Sequence, residues 1–223
     1  MDKISIGLYG AGGFGKEVMS LLPTTLPTLF PETSPNNIRI YFIDDDSKLK
    51  KVLKKDVLTF DKFKSLDNTE LYCGITISDP QSRKQIAAKL IKTNIKILTL
   101  IFNDTLILSE AKIGVGSIIM PKATISASVK IGMYTQINFN SYIAHDCALD
   151  DFVTISPFVV CCGNAELKEG AFIGAGSTIR QGSKNKPRYI GFNSRLGIGS
   201  NLLTDVPDNK TYVGNPAKEF QIT

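Results

Sequence analysis

Cut into sixes, residues 107–183 read ILSEAK IGVGSI IMPKAT ISASVK IGMYTQ INFNSY IAHDCA LDDFVT ISPFVV CCGNAE LKEGAF IGAGST IRQGS. The first place of each hexad is aliphatic, from Ile107, Ile113, Ile119 and Ile125 through Leu167, Ile173 and Ile179, with Cys161 the one departure. The fifth place is small or β-branched, from Ala111, Ser117, Ala123 and Val129 through Ala171, Ser177 and Ser183. Six is too short for a helical repeat unit and is a multiple of the strand period of two, so the first place always falls on the same face. The chain is therefore a stack of short strands. If three hexads close one triangular coil, equivalent residues lie eighteen apart, the aliphatics pile into three interior columns and the small residues fit the corners. This is a parallel β-helix, in which each buried Ile or Leu contributes roughly 1.5–3 kcal/mol.

Outward from this core, composition sets bounds. At 223 residues with 43% hydrophobic and 21% charged, the chain is an ordinary globular protein of one large or two modest domains, which excludes disorder. The first apolar run ends at Gly10 with no basic stretch before it, so neither export nor a membrane span is expected and a cytoplasmic location is. Cys73, Cys147, Cys161 and Cys162 form no C-x-x-C pair, and two occupy repeat-core places, which predicts buried thiols and no metal site. A net charge of +5 suits anionic small molecules, and no basic stripe interleaved with aromatics points to nucleic acid.

Before the repeat, Ile4 to Tyr9 reads as a strand running into Gly10-Ala11-Gly12-Gly13-Phe14-Gly15, with a helix expected from Lys16 to Leu22. A G-x-G-x-x-G turn between strand and helix lets an anionic group approach the unpaired N–H groups of the helix start. A long connection carrying Pro23, Pro27, Pro31 and Pro35 then leads to a second strand, Ile38 to Ile43, ending in Asp44-Asp45-Asp46. That acidic end lies farther from the glycines than a dinucleotide fingerprint places it, which argues against NAD. Lys48 to Leu66 reads as a short helix and loop, and Leu71 to Ile77 as a third strand. Asp79-Pro80 caps a helix to about Lys92, and Ile95 to Phe102 is a fourth strand. Residues 1–102 thus form a small Rossmann-like α/β parallel sheet with ligands expected at its carboxyl ends, and 103–223 the β-helix domain.

After Ile179 the period slips, resuming at Ile190, Leu196 and Leu202, so about 181–189 is an extruded loop carrying Lys184, Lys186 and Arg188. The tail from Thr211 to Lys218 leaves the repeat and caps it. His145 is the only histidine. It occupies the third place of its hexad, outside both columns, and faces out. Imidazole is the usual general base near neutrality, and the neighbouring Asp146 carboxylate can fix its tautomer.

The hexads, the extruded loop and the ending Val213-Gly214-Asn215-Pro216-Ala217-Lys218 resemble the left-handed parallel β-helix acyltransferases. With Gly10 to Val18 and Tyr41 to Asp46 added, the whole chain resembles the NeuD/PglD group of bacterial sugar acetyltransferases. The resemblance implies a homotrimer that uses acetyl-CoA, with the active site between neighbouring β-helices. Its acceptor would be the 4-amino group of a nucleotide-linked 4-amino-4,6-dideoxy sugar. It implies His145 as the catalytic base and Asp146 as its partner, where such proteins often carry Glu. Asn138 matches a substrate-site residue, while Gly10, Gly12, Gly13, Phe14, Gly15, Asp44 and Asp45 would hold the nucleotide. Gly163, one coil beyond His145, would face the thioester oxygen; Ala175, Gly197, Gly214, Asn215, Pro216 and Lys218 would line the CoA channel. Acyl transfer needs a base for the amine and a donor for the oxyanion, and no covalent acyl-enzyme. Two other readings stand beside it: O-acetylation of a sialic acid or related sugar, and a β-helix scaffold without catalysis.

Overall fold

The computed structural model describes residues 3–46, 48–67 and 69–220. The chain forms two compact units, 1–102 and 103–223.

In the first unit, β1 (Ile4–Tyr9), β2 (Ile38–Ile43), β4 (Lys55–Leu58), β5 (Glu70–Ile75) and β6 (Lys96–Ile97) run parallel. β3 (Lys51–Val52) is an antiparallel edge, and the order is β3-β4-β2-β1-β5-β6. The chain moves from β1 outward through β2 and returns to β5 on the other side of β1. A crevice therefore opens between the carboxyl ends of β1 and β5, the usual ligand position in such sheets. β1 is buried along its whole length.

Helices α1 (Gly13–Leu29), α2 (Phe60–Lys64) and α3 (Pro80–Leu90) complete the unit. The helix expected from Lys16 to Leu22 is far longer: it starts at Gly13 and runs through both Pro23 and Pro27. The two prolines, one turn apart, lie on the exposed face, where water can take the carbonyls they leave unbonded, while Val18, Met19, Leu22 and Leu26 bury the other face. The short helix and loop expected from Lys48 to Leu66 is instead the β3–β4 hairpin followed by α2. Its turn residues Leu53 and Lys54 both take positive φ, 47° and 61°, a conformation that Asn-Gly would have signalled and Leu-Lys does not. Asp79 caps α3 as expected, its carboxylate accepting from Ser82 N at 2.9 Å. The fourth strand splits into Lys96–Ile97 and Leu100–Ile101.

The second unit is a left-handed parallel β-helix of two- and three-residue strands. Registers run eighteen residues apart: Ile125 pairs with Ile143, Ile143 with Cys161, and Cys161 with Ile179. The columns from Ile119 to Leu202 are at most 5% exposed, whereas Ile107, on the terminal coil, is 37% exposed for want of a coil before it. At the corners, every sixth residue from Asp104 to Gly176 has positive φ, between 54° and 79°, and only Gly116, Gly170 and Gly176 among them are glycine. Each of the others carries a left-handed penalty of roughly 1–2 kcal/mol, offset by the strand pairing and column burial that the corner permits.

The extruded segment is shorter than expected, since Arg188–Ile190 is already a strand pairing with Ala165–Leu167. The tail does not leave the repeat at once either. Thr211–Val213 pairs parallel to Arg195–Leu196, and only after Gly214 does the chain turn back, Lys218–Glu219 pairing antiparallel to Tyr212–Val213. Among the described residues no helix is long and apolar enough to cross a membrane.

Candidate active site

His145 and Asp146 sit on the corner that follows the strand Tyr142–Ile143. Asp146 is the left-handed residue of that corner, φ 58°, a conformation that Asp tolerates better than most side chains. Its carboxylate thereby meets the preceding ring: His145 Nδ1 lies 2.8 Å from Asp146 Oδ2. A carboxylate only accepts, so the neutral tautomer that fits this contact carries its proton on Nδ1 and leaves the Nε2 lone pair open. The corner is tied to its neighbours above and below, Asp146 N donating to Ala127 O at 3.2 Å and Asn164 N to His145 O at 3.1 Å. Both side chains are about half exposed.

One coil on, Gly163 lies beneath the imidazole. A Cβ there would stand 2.7 Å from both Cε1 and Nε2, so glycine is what lets the ring sit in this position. Among the described residues the Gly163 N–H donates to nothing, while its carbonyl accepts from Gly182 N at 3.0 Å. A base and a vacant backbone donor thus share one corner.

Beside Asp146 opens a polar cavity of about 680 Å³, walled by Lys130, Cys147, Asn164 and the extruded Ser183 and Lys184. The extruded loop thus forms part of the wall, whereas nothing in the hexad pattern singles out Lys130. The loop is braced, Arg188 N donating to Asn164 O at 2.9 Å and the Arg188 guanidinium to Asp205 Oδ1 at 2.6 Å.

Cys147 and Cys161 are buried, their sulfurs 3.9 Å apart; the Cys147 sulfur together with burial pushes the Cys161 thiol well above its ordinary range. That disfavours Cys161 as a nucleophile, while the hydrogen bond from Cys161 holds the Cys147 thiol below its ordinary range. Among the described residues no cluster of His, Cys, Asp or Glu could hold a metal.

Asn138 is not brought to His145 within the chain. It lies on the preceding corner, across the strand Tyr142–Ile143, is buried, and gives its side-chain amide to Ile155 O at 3.2 Å. Ala175 and Gly197 share that preceding corner, one and two coils beyond the coil after Asn138. Gly197 N donates to Tyr212 O at 2.8 Å, Gly214 N to Ser200 Oγ at 3.1 Å and Ala217 N to Asn201 O at 2.8 Å, so the tail that carries Gly214, Asn215, Pro216 and Lys218 is tied to the coil of Gly197.

In the first unit, Gly10, Gly12, Gly13, Phe14, Gly15, Asp44 and Asp45 gather at the carboxyl ends of β1 and β2. Gly15 is required by packing, since a Cβ there would fall 2.0 Å from Gly10 O; Gly12 and Gly13 have nothing within 4 Å of theirs and stand open. Asp44 supports the loop, accepting from Ala11 N at 3.1 Å and Asp46 N at 3.0 Å. Asp45 accepts from Tyr9 OH and from Lys89 Nζ, the latter at 3.2 Å. Thr76, in the Gly74 to Asp79 stretch that the sequence also puts at a strand's carboxyl end, has its hydroxyl 2.9 Å from Gly10 O and 3.1 Å from Tyr9 O.

This architecture is shared with known proteins. Residues 5–90 match the family model for the PglD N-terminal domain. The chain is 30% identical over 215 residues, 96% of both chains, to the GDP-perosamine N-acetyltransferase of Escherichia coli O157:H7. It superposes on WeeI from Acinetobacter baumannii AYE with a TM-score of 0.90, 35% identity, covering 98% of this chain and 100% of that one. The acetyltransferase domain of PglB from Neisseria gonorrhoeae FA1090, solved in complex with acetyl coenzyme A, gives a TM-score of 0.83 at 29% identity over 98% of this chain and 100% of that domain. Sheet, β-helix and His-bearing corner together with these relatives lead to one conclusion: the chain belongs to the NeuD/PglD family of sugar acetyltransferases.

Proposed function

We propose that the protein moves the acetyl group of acetyl-CoA onto the 4-amino group of a nucleotide-linked 4-amino-4,6-dideoxy sugar, with His145 as general base. The observation that carries this reading is the imidazole itself: Nδ1 held by Asp146 at 2.8 Å, Nε2 open, and the ring seated over Gly163 beside its vacant N–H. The relative named for GDP-perosamine acetylation supports an amino sugar nucleotide as acceptor, and the acetyl-CoA complex of the PglB domain supports the donor.

The chemistry follows from these groups. Nε2 accepts a proton from the sugar amine as its lone pair attacks the thioester carbon. The carbonyl oxygen becomes an oxyanion and meets the Gly163 N–H, a donor already in position. The C–S bond then breaks, and the departing CoA thiolate takes the proton held by the imidazolium. In the first unit, the open Gly12 and Gly13 at the start of α1 suit a diphosphate.

Homotrimer assembly belongs to the same proposal. The residues implied for acceptor and acyl donor fall on two different corners, Gly163 on that of His145, and Asn138, Ala175 and Gly197 on the one before. A neighbouring chain that brings its own preceding corner up to His145 would complete the channel.

The test is a panel of UDP-, dTDP- and GDP-linked 4-amino-4,6-dideoxy sugars with free and CMP-linked sialic acid, each given acetyl-CoA, following free thiol. Turnover of one amino sugar nucleotide, lowered about 10²–10⁴-fold in kcat by His145→Ala, is the expected result. Turnover of a sialic acid alone would reassign the acceptor to a hydroxyl, and wild-type kcat in His145→Ala would remove the base.

A further inference from the structure

We infer that Cys147 is a positioning residue for acyl transfer, its thiol holding the peptide unit whose N–H receives the oxyanion. Cys147 Sγ lies 3.3 Å from Cys162 O. That carbonyl and the Gly163 N–H belong to the same peptide group. The group is planar and trans, so a hydrogen bond that fixes one end fixes the direction of the other. Accepting at the carbonyl also polarises the amide and makes its N–H a better donor. Cys161 Sγ lies 3.9 Å from Cys147 Sγ and 3.8 Å from Cys162 O, so Cys147, at 3.3 Å, is the nearer thiol to the carbonyl, and Cys161 is in position to donate to the Cys147 sulfur.

The repeat itself supplies the control. Cys147 occupies the small fifth place of its hexad, and elsewhere that place uses hydroxyls for the same bond. Ser117 Oγ donates to Gly132 O at 2.9 Å, Thr135 Oγ1 to Asp150 O at 3.1 Å, Ser141 Oγ to Ser156 O at 2.9 Å and Ser177 Oγ to Gly197 O at 2.8 Å. The coil does not require the bond, because Ala123, Ala165 and Ala171 fill the same place fully buried. On the corner column of His145 the place holds Ala111, Val129, Cys147 and Ala165 through the unbroken coils, with Arg188 opposite Ala165 after the slip, so within those unbroken coils Cys147 is the one polar donor of the column. The two residues before it are His145 and Asp146. Base, base partner and the clamp on the oxyanion donor are thus three consecutive residues of one corner.

This inference rests on the acyl-transfer reading above, and its test separates the two. Cys147→Ala and Cys147→Ser are assayed beside wild type and His145→Ala, with kcat and both KM values measured and folding checked by circular dichroism and melting. Both substitutions are native to this place in other coils, so both variants fold. Cys147→Ala is expected to lower kcat about tenfold, short of the 10²–10³ of deleting an oxyanion donor outright, with both KM values within about twofold. Cys147→Ser restores the donor and is expected to stay within about threefold of wild type. Wild-type kcat in Cys147→Ala, or equal impairment of the two variants, overturns the inference while leaving His145 as base. Undiminished turnover in His145→Ala overturns the acyl-transfer reading and this inference with it.

Discussion

At the scale of single residues, the site is one in which the smallest side chain is as constrained as the most reactive. Gly163→Ala adds a methyl 2.7 Å from Cε1 and Nε2 and 3.1 Å from Nδ1 of His145, closer than side chains tolerate, so the ring must shift. A shift of about 1 Å at a catalytic group costs on the order of 10²-fold. The variant is expected to lose about that in kcat, with a melting temperature near wild type, since Ala is otherwise benign in a corner; steady-state kinetics with a parallel melt checks both. His145 was legible in the sequence because it is the lone histidine and stands in an outward hexad place. Gly163 was reached only through the resemblance, as the residue one coil on. The Cys147 thiol bond was not legible at all, because its acceptor lies fifteen residues away and the bond exists only once coils are stacked.

At the scale of elements, the hexad told of columns and corners but not of the corner backbone. The left-handed residues include Lys122, Tyr134, Phe152 and Phe158, none of which advertises positive φ, so that feature emerges only from the coordinates. Lys122 makes the point testable: exposed, with φ 62°, it carries the left-handed penalty. Lys122→Gly is expected to raise stability by roughly 0.5–1 kcal/mol, the relief being reduced by the extra freedom glycine has when unfolded. A melting scan of the two proteins side by side reads the sign, and a lower midpoint for the variant would contradict the account. In the first unit the misreadings have the same origin. Pro23 and Pro27 are helix breakers by local rule, yet the burial of Leu22 and Leu26 on the opposite face carries α1 through them. Leu53-Lys54 is not a recognisable hairpin turn, and only the pairing of Lys51–Val52 with Lys55–Asp56 forces it.

At the scale of the whole molecule, two units of different architecture serve one reaction in the reading above, and kinetics can tell them apart. Gly13 has open space where a side chain would go and stands at the start of α1. Gly13→Glu leaves folding intact and sets a carboxylate where a diphosphate is expected. It should raise the KM for the sugar nucleotide by about tenfold or more through like-charge repulsion, with the KM for acetyl-CoA unchanged. Equal effects on both constants would argue against a nucleotide role for the first unit.

The regular pairing of Ile125 with Ile143, and so on up the face, also makes the solenoid a ruler. Each coil advances the chain by one strand spacing, about 4.8 Å, whatever side chains it carries. In the acyl-transfer proposal the reach along the axis from the level of the imidazole to that of Gly197 and the tail is therefore graduated in whole coils, and inserting or deleting eighteen residues would refit it to a longer or shorter acyl arm without redesigning any one contact.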